Sequence, residues 1–518
     1  SDHRILVESE ADITWAVCDF IAAEELNRSR GYWWLPDSSG LMVQRTDDTP
    51  VPIWHRSDPA NPQREPAQQR YPHAGAANAL VEVWRFDLDG EGTRVPLPEA
   101  EYLATVRGGA IGVFDRAQTA LTVCDVDGHI IGRVERQPWL DLVPGLPRRS
   151  GDVLVAWTDE ARRRLTMDGQ AVTPAEVHLR SYLGEIDGTH YVTACTTPAE
   201  SRVGCIDSGG FRWLSEPGKY TTATVERDLI ITSETTWNRY GAQVTVRDRD
   251  YAALADVDSL AEVPQVEASP TLLAAGIEDV QVVVLMPSEH SSEPLPILMN
   301  PYGGPHAQRV LAARSAYAGA QWLADQGFCV VIADGRGTPG QSPAWEHAIA
   351  GDLRDAALED QVTALERVVS AYPDQVDPSR VGILGWSYGG YLAALAVLQR
   401  PDVFSAAVAG APVTEWRLYD TAYTERYLGD PRTDPAPYDH SSLLPLAANL
   451  ERPLLLIHGL ADDNVFAAHT LQLSSALLAA GRPHEVLPLS GVTHMTPQPQ
   501  VAENLLLLQV DFFRRHLG

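Results

Sequence analysis

One six-residue stretch, Gly385-Trp386-Ser387-Tyr388-Gly389-Gly390, constrains this chain more than any other. The apolar run Arg380-Val381-Gly382-Ile383-Leu384 before it reads as a buried strand, and Tyr391-Leu392-Ala393-Ala394-Leu395-Ala396-Val397-Leu398 after it reads as a helix. A strand that becomes a helix within so few residues needs glycines to make room for the bend. The turn then holds its serine in a strained backbone that lifts the hydroxyl clear of the sheet. Ser387 is therefore a candidate nucleophile. G-x-S-x-G also arises by chance in glycine-rich loops, so the flanking strand and helix carry the assignment.

A serine hydroxyl needs a base to take its proton, and the base needs a carboxylate to orient it and to stabilise the imidazolium. Both lie downstream. Pro453-Leu454-Leu455-Leu456-Ile457-His458-Gly459 reads as a strand running out into Ala461-Asp462-Asp463-Asn464-Val465, and Glu485-Val486-Leu487-Pro488-Leu489 reads as another that ends near His494. The order serine, aspartate, histidine is that of the α/β-hydrolases. His458, beside Gly459, reads as a structural histidine. Adjacent aspartates cannot both face one imidazole, and spacing alone leaves Asp462 and Asp463 both open.

The chain divides in two, with the boundary placed near residue 262. Residues 263–518 form the catalytic part, with strand-helix alternation exemplified by Phe328–Asp334, Asp352–Tyr372 and Val381–Leu384, an α/β pattern. Residues 1–262 instead carry many short runs such as Leu41–Arg45, Val81–Phe86, Val153–Trp157 and Gln243–Arg247, punctuated by turns including Asp125-Val126-Asp127-Gly128. That pattern predicts a β-propeller, of five or six blades at roughly 40–45 residues each. Pro59 to Ala79, rich in Pro, Gln, Arg and Asn, reads as irregular connection.

The chain resembles the dipeptidyl peptidase IV family of the prolyl oligopeptidase clan. The resemblance rests on Gly-Trp-Ser-Tyr-Gly-Gly-Tyr, Asn300-Pro301-Tyr302-Gly303-Gly304-Pro305, His458–Val465, His494, and the run from Ala411 to Tyr427. It also covers Asp19–Trp34, which contains Glu24 and Glu25. The resemblance implies a triad of Ser387, Asp462 and His494. It implies an oxyanion site from the Tyr302 hydroxyl and the Tyr388 amide, and a substrate carbonyl held by Asn464. A pocket for the residue before the cut is implied from Tyr388, Val413, Trp416, Tyr419, Tyr423 and Val465. Trp416, Tyr419 and Tyr423 are spaced three and then four residues apart, one aromatic face if they share a helix, a pattern usually found in cores. A flat pyrrolidine suits such a box. By composition a Glu-Glu pair is an ordinary solvated helix face; the resemblance makes Glu24 and Glu25 a grip on the substrate's free ammonium.

The implied activity is a serine exopeptidase that releases N-terminal X-Pro or X-Ala dipeptides, because two carboxylates at a fixed distance from Ser387 leave room for two residues. An acylaminoacyl-peptidase, prolyl endopeptidase or esterase on the same scaffold would not need Glu24 and Glu25. A non-catalytic interaction module would not need the serine. The partners are peptides with a free N-terminus. A net charge of −29 argues against nucleic acid, no 18-residue apolar run predicts a membrane span, and no spacing predicts a metal or cofactor. Five cysteines without zinc spacing favour a reduced, cytoplasmic setting. Homodimerisation is implied by the family alone. Relatives carry a long propeller segment before the double glutamate and an arginine beside the substrate carbonyl. Neither is identified here, so the propeller is expected to lack its N-terminal part.

Overall fold

The structure is a computed structural model and describes residues 5–274, 276, 278–289 and 293–518. Residues up to 257 fold into five larger antiparallel sheets and one two-stranded hairpin. The first contains Ile13–Trp15, Tyr32–Trp34, Gly40–Asp47, Leu80–Asp87 and Gly92–Arg94; four four-stranded sheets follow over 102–135, 148–171, 178–213 and 220–257. In each of these four, the first strand is an edge strand and lines one shared cavity. That is the arrangement of propeller blades around a channel. The turns follow local chemistry: in Asp125–Gly128 the Asp125 carboxylate accepts from the amides of Asp127 and His129, both at 2.9 Å, and Gly128 takes φ +89°.

The five sheets fall within the expected blade number. One expectation is corrected. The stretch read as irregular, 59–79, contains the strand Ala67–Arg70, which pairs antiparallel with Ile53–Arg56. Its polar composition hides it, because packing against the other domain, and not its own apolar pattern, stabilises it.

The second part is one eight-stranded sheet of β1 (Thr271–Ala274), β2 (Gln281–Leu285), β3 (Leu295–Met299), β4 (Cys329–Asp334), β5 (Val376–Trp386), β6 (Ala406–Gly410), β7 (Leu454–Gly459) and β8 (Glu485–Leu489), in the order β1-β2-β4-β3-β5-β6-β7-β8. Strands β3 to β8 run parallel and β2 is antiparallel to its neighbours. Apolar clusters cover both faces, so the central strands read as unbroken apolar runs. The helix Tyr388–Gln399 is buried over nearly all its length, which its all-round apolar sequence requires. The fold is a β-propeller followed by an α/β-hydrolase domain.

Candidate active site

Strand β5 delivers Ser387 at its C-terminal end, where open α/β sheets place their sites. Ser387 sits at φ +59°, a costly conformation for a residue with a Cβ, and its amide donates to Gly410 O at 2.9 Å. The glycines around it are there for space. A Cβ on Gly385 would lie 2.2 Å from Gly389 O, and one on Gly390 2.2 Å from Gly410 O. Gly390→Ala is accordingly expected to destabilise the fold by on the order of 3 kcal/mol by overpacking, despite alanine's better helix propensity. Urea unfolding measures this.

The other two triad candidates arrive from β7 and β8. His494 Nδ1 lies 2.8 Å from Asp462 Oδ2, while Asp462 Oδ1 accepts from the amides of Asn464 (3.0 Å) and Val465 (2.9 Å). Burial raises the Asp462 carboxyl, but His458 and His494 beside it prevail and hold it at about 2. Asp463 is half-exposed and turns toward Arg56 at 4.0 Å. His458 is fully occupied: its ring nitrogens meet Thr470 Oγ1 and Val465 O, both at 2.7 Å. Gly459 lets the histidine loop close in, since a Cβ there would sit 2.4 Å from Val492 O. One tie lay outside the sequence reading: Trp386 Nε1 donates to His494 O at 2.7 Å, joining the residue before Ser387 to the backbone of His494. Among the described residues Ser387 Oγ and His494 make no hydrogen bond with each other. Such contacts are often long in ligand-free enzymes and tighten with substrate.

Tyr388 opens its helix, so its amide has no intrahelical acceptor and is available to an oxyanion. Its phenol donates to Leu353 O at 2.6 Å and its ring fills the space that Gly304 leaves open. Tyr302 packs beside it at 5.9 Å between ring centroids, and burial and the nearby Glu25 push its hydroxyl above the usual tyrosine value. It therefore stays a proton donor.

The aromatic box forms, though not on one helix. Trp416–Leu418 is a short 3-10 turn, Tyr419 is extended, and Asp420 caps a new helix, Thr421–Leu428, by accepting from Tyr423 N at 2.9 Å. Trp416 and Tyr423 nonetheless stack at 5.8 Å and 4°, with Tyr419 edge-on to both. Val413 and Val465 are buried beside them.

Glu24 and Glu25 end the helix Phe20–Glu25, capped by Asp19. They have different surroundings. Glu24 is exposed and accepts from Asn464 Nδ2 at 2.8 Å, while Asn464 Oδ1 accepts from the Tyr419 hydroxyl at 3.0 Å. Glu25 is buried against Asp420. Neither Glu25 Oε2 nor Asp420 Oδ2 makes a well-aligned hydrogen bond among the described residues, and the two buried carboxyls lie against each other. Burial first, then the charge of Asp420, raises Glu25 well above the carboxylate range, and burial raises Asp420 to about 6. Arg426 Nη1 approaches His306 Nε2 at 3.2 Å; a guanidinium can only donate, so Nδ1 carries the ring proton and faces Glu25 Oε2 at 3.4 Å. Asp420, His306 and Arg426 went unassigned in the sequence, although the first and last stand inside the aromatic segment and His306 directly follows the Tyr302 segment. Each matters through a contact with the other domain, which no local pattern encodes.

The model of the dipeptidyl peptidase IV N-terminal region matches residues 1–132, and that of the prolyl oligopeptidase family matches 314–518, the part carrying the triad candidates. The chain belongs to the dipeptidyl peptidase IV family. It is a serine peptidase of that family. Human dipeptidyl peptidase 8 is 26% identical over 650 aligned residues, spanning all of this chain and 71% of that protein. Human prolyl endopeptidase FAP is 35% identical over 205 residues, 38% of this chain and 26% of that one. The crystal structure of Porphyromonas gingivalis dipeptidyl peptidase 4 superposes with a TM-score of 0.87 at 22% identity, covering 98% of this chain and 77% of that chain. This last likeness concerns the fold. Among the described residues no helix is long and apolar enough to cross a membrane.

Proposed function

We propose that this chain removes X-Pro, and more slowly X-Ala, dipeptides from the free N-termini of peptides. The observation that carries the reading is the buried Glu25 set against Asp420, beside the exposed Glu24 that Asn464 bonds. Two carboxyls forced together in a buried site hold less than their full negative charge, and an arriving ammonium restores it with charge-assisted hydrogen bonds. An acylated N-terminus brings no such charge. Ser387 acts as nucleophile, His494 as base and Asp462 as its orienting acid. The Tyr302 hydroxyl and Tyr388 amide receive the oxyanion, and such donors are worth roughly 3–4 kcal/mol each. Asn464 holds the carbonyl of the first residue, and Tyr388, Val413, Trp416, Tyr419, Tyr423 and Val465 enclose the proline ring. Homodimerisation and a cytoplasmic setting belong to the same reading, supported by family likeness and by five unpaired cysteines.

Paired assays with Gly-Pro-anilide and its N-acetylated form test this. We expect kcat/KM for the free amine to exceed that of the acetylated compound by about 100-fold or more, the scale of leaving a buried charge without its partner. Comparable rates on both would favour an endopeptidase or acylaminoacyl-peptidase and remove the clamp from the mechanism.

A further inference from the structure

The chamber between the domains carries a charge balance opposite to that of the molecule. The chain bears a formal charge of −29, yet seven arginines and four carboxylates line this cavity of about 1360 Å³. Those four carboxylates are already engaged. Glu24 and Glu25 face the substrate amine, and Asp141 and Glu346 pair with Arg163 at 3.3 and 2.9 Å. Arg28 pairs with Asp19 at 3.3 Å, Arg426 lies 3.8 Å from Asp141, and Arg180 bonds Gln308 at 3.2 Å. Arg30, Arg107 and Arg148 remain, and none of them has a carboxylate within 4.0 Å among the described residues. Arg30 only stacks on Tyr32, and Arg148 on Tyr182.

The three are also close together. Burial, then the like charges of Arg148 and Arg30, depress Arg107. Arg149 N donates to Gly108 O at 3.1 Å, and a Cβ on Gly108, at φ +51°, would stand 3.0 Å from Arg148 Nε. That glycine thus makes room for the guanidinium beside Arg107. Their distance from the clamp follows from strand geometry. Tyr102–Arg107 starts where Tyr102 and Asn78 meet Thr421, next to Asp420, and ends at Arg107. Its five steps carry the chain about 17 Å along the channel wall.

Three neighbouring guanidinium groups without a counter-charge, Arg148 partly buried and Arg30 and Arg107 open to the chamber, repel one another, and a carboxylate placed among them relieves this through forked hydrogen bonds. We propose that Arg30, Arg107 and Arg148 form a carboxylate-binding collar that reads the peptide beyond the cut. The preferred substrates then carry an acidic side chain or a free C-terminal carboxylate downstream. Resting on the X-Pro exopeptidase reading, the collar lies within reach of a residue about five to seven places from the clamped amine, at roughly 3.3–3.6 Å per extended residue.

Three heptapeptides test it, all starting Gly-Pro and otherwise glycine: one with Asp at the sixth position and an amidated C-terminus, one with Asn there and amidated, and the Asn peptide with a free carboxylate. At low ionic strength we expect kcat/KM for the Asp peptide, the free-acid peptide or both to exceed that of the Asn amide by about 10-fold, which also tells the two carboxylate sources apart. In the Arg107→Gln/Arg148→Gln double variant the ratios should fall to near one, with Gly-Pro-anilide hydrolysis unchanged. Equal kcat/KM for all three peptides in the unsubstituted enzyme would overturn the collar, whether or not the variant folds. So would a preference that survives in an active double variant. Calorimetric binding of the same peptides to Ser387→Ala protein separates the two levels. The 10-fold affinity ratio without any Gly-Pro-anilide hydrolysis by the unsubstituted enzyme would overturn the exopeptidase reading and leave the collar standing.

Discussion

Replacing Ser387 by alanine is expected to lower kcat on Gly-Pro-anilide by at least about 10⁴-fold while leaving thermal stability unchanged within a few degrees. The size follows from the role. Without Oγ no acyl-enzyme forms, and what remains is the contribution of the oxyanion donors and of binding, a small part of the total. The stability expectation follows from geometry: the amide bond to Gly410 O and the positive φ belong to the backbone and survive the change. Burst kinetics and a melting curve measure the two halves. More than a few per cent residual turnover would mean that another nucleophile does the chemistry.

The second large effect is expected at Glu25. Glu25→Gln should reduce kcat/KM for free-amine X-Pro substrates by about 100-fold, while hydrolysis of an N-acetylated ester changes by less than a few-fold. The fold should tolerate this change well, because burial and Asp420 already raise Glu25 well above the carboxylate range and an amide resembles the protonated acid. The pH dependence has a definite sign. A carboxyl whose value is raised on folding binds its proton more tightly in the native state. Its stabilising contribution is present at low pH and is lost as pH rises from the ordinary carboxylate range through the folded value, about 6 for Asp420. Asp462, held at about 2, contributes in the opposite sense: its share is present above the ordinary range and disappears as pH falls toward 2. Glu25→Gln should therefore flatten the decline in melting temperature as pH rises above the ordinary carboxylate range. An unchanged slope, with equal loss on both substrates, would make Glu25 a packing residue.

Much of the hydrolase domain was legible because its signals are local. A strand, a glycine-bounded serine and an apolar helix lie within about twenty residues, and the acid and base follow at the ends of later strands. What stayed hidden depends on contacts between distant segments. Adjacent in sequence, Asp462 and Asp463 are not told apart by spacing; the family resemblance chooses Asp462, and only the structure shows the two side chains pointing different ways. The spacing of Trp416, Tyr419 and Tyr423 suggested a single helical face, whereas Asp420 starts a new helix between them and the box is closed by ring contacts. Glu24 and Glu25 look alike in sequence and differ in burial and in partners. The propeller was harder to read than the hydrolase, since its blades share no strict repeat.

The hairpin of Ile53–Arg56 and Ala67–Arg70 has a consequence for how substrate enters. It reaches from the first propeller sheet to the loop that carries Asp462. There Arg56 donates to Ala461 O at 2.5 Å, Gln69 to Asp463 O at 2.9 Å and the Tyr71 hydroxyl to Asn464 O at 2.8 Å. Phe466 is clasped edge-on between Trp54 and Tyr71. Three carbonyls around Asp462 thus owe their positions to the opposite domain. On the proposed mechanism, swinging the two domains apart here would free the loop that places Asp462 against His494, so turnover is expected to need this seam closed. On the same mechanism, peptides enter by a route that leaves this seam shut, and unfolded peptides are expected to be cut far faster than bulky folded proteins.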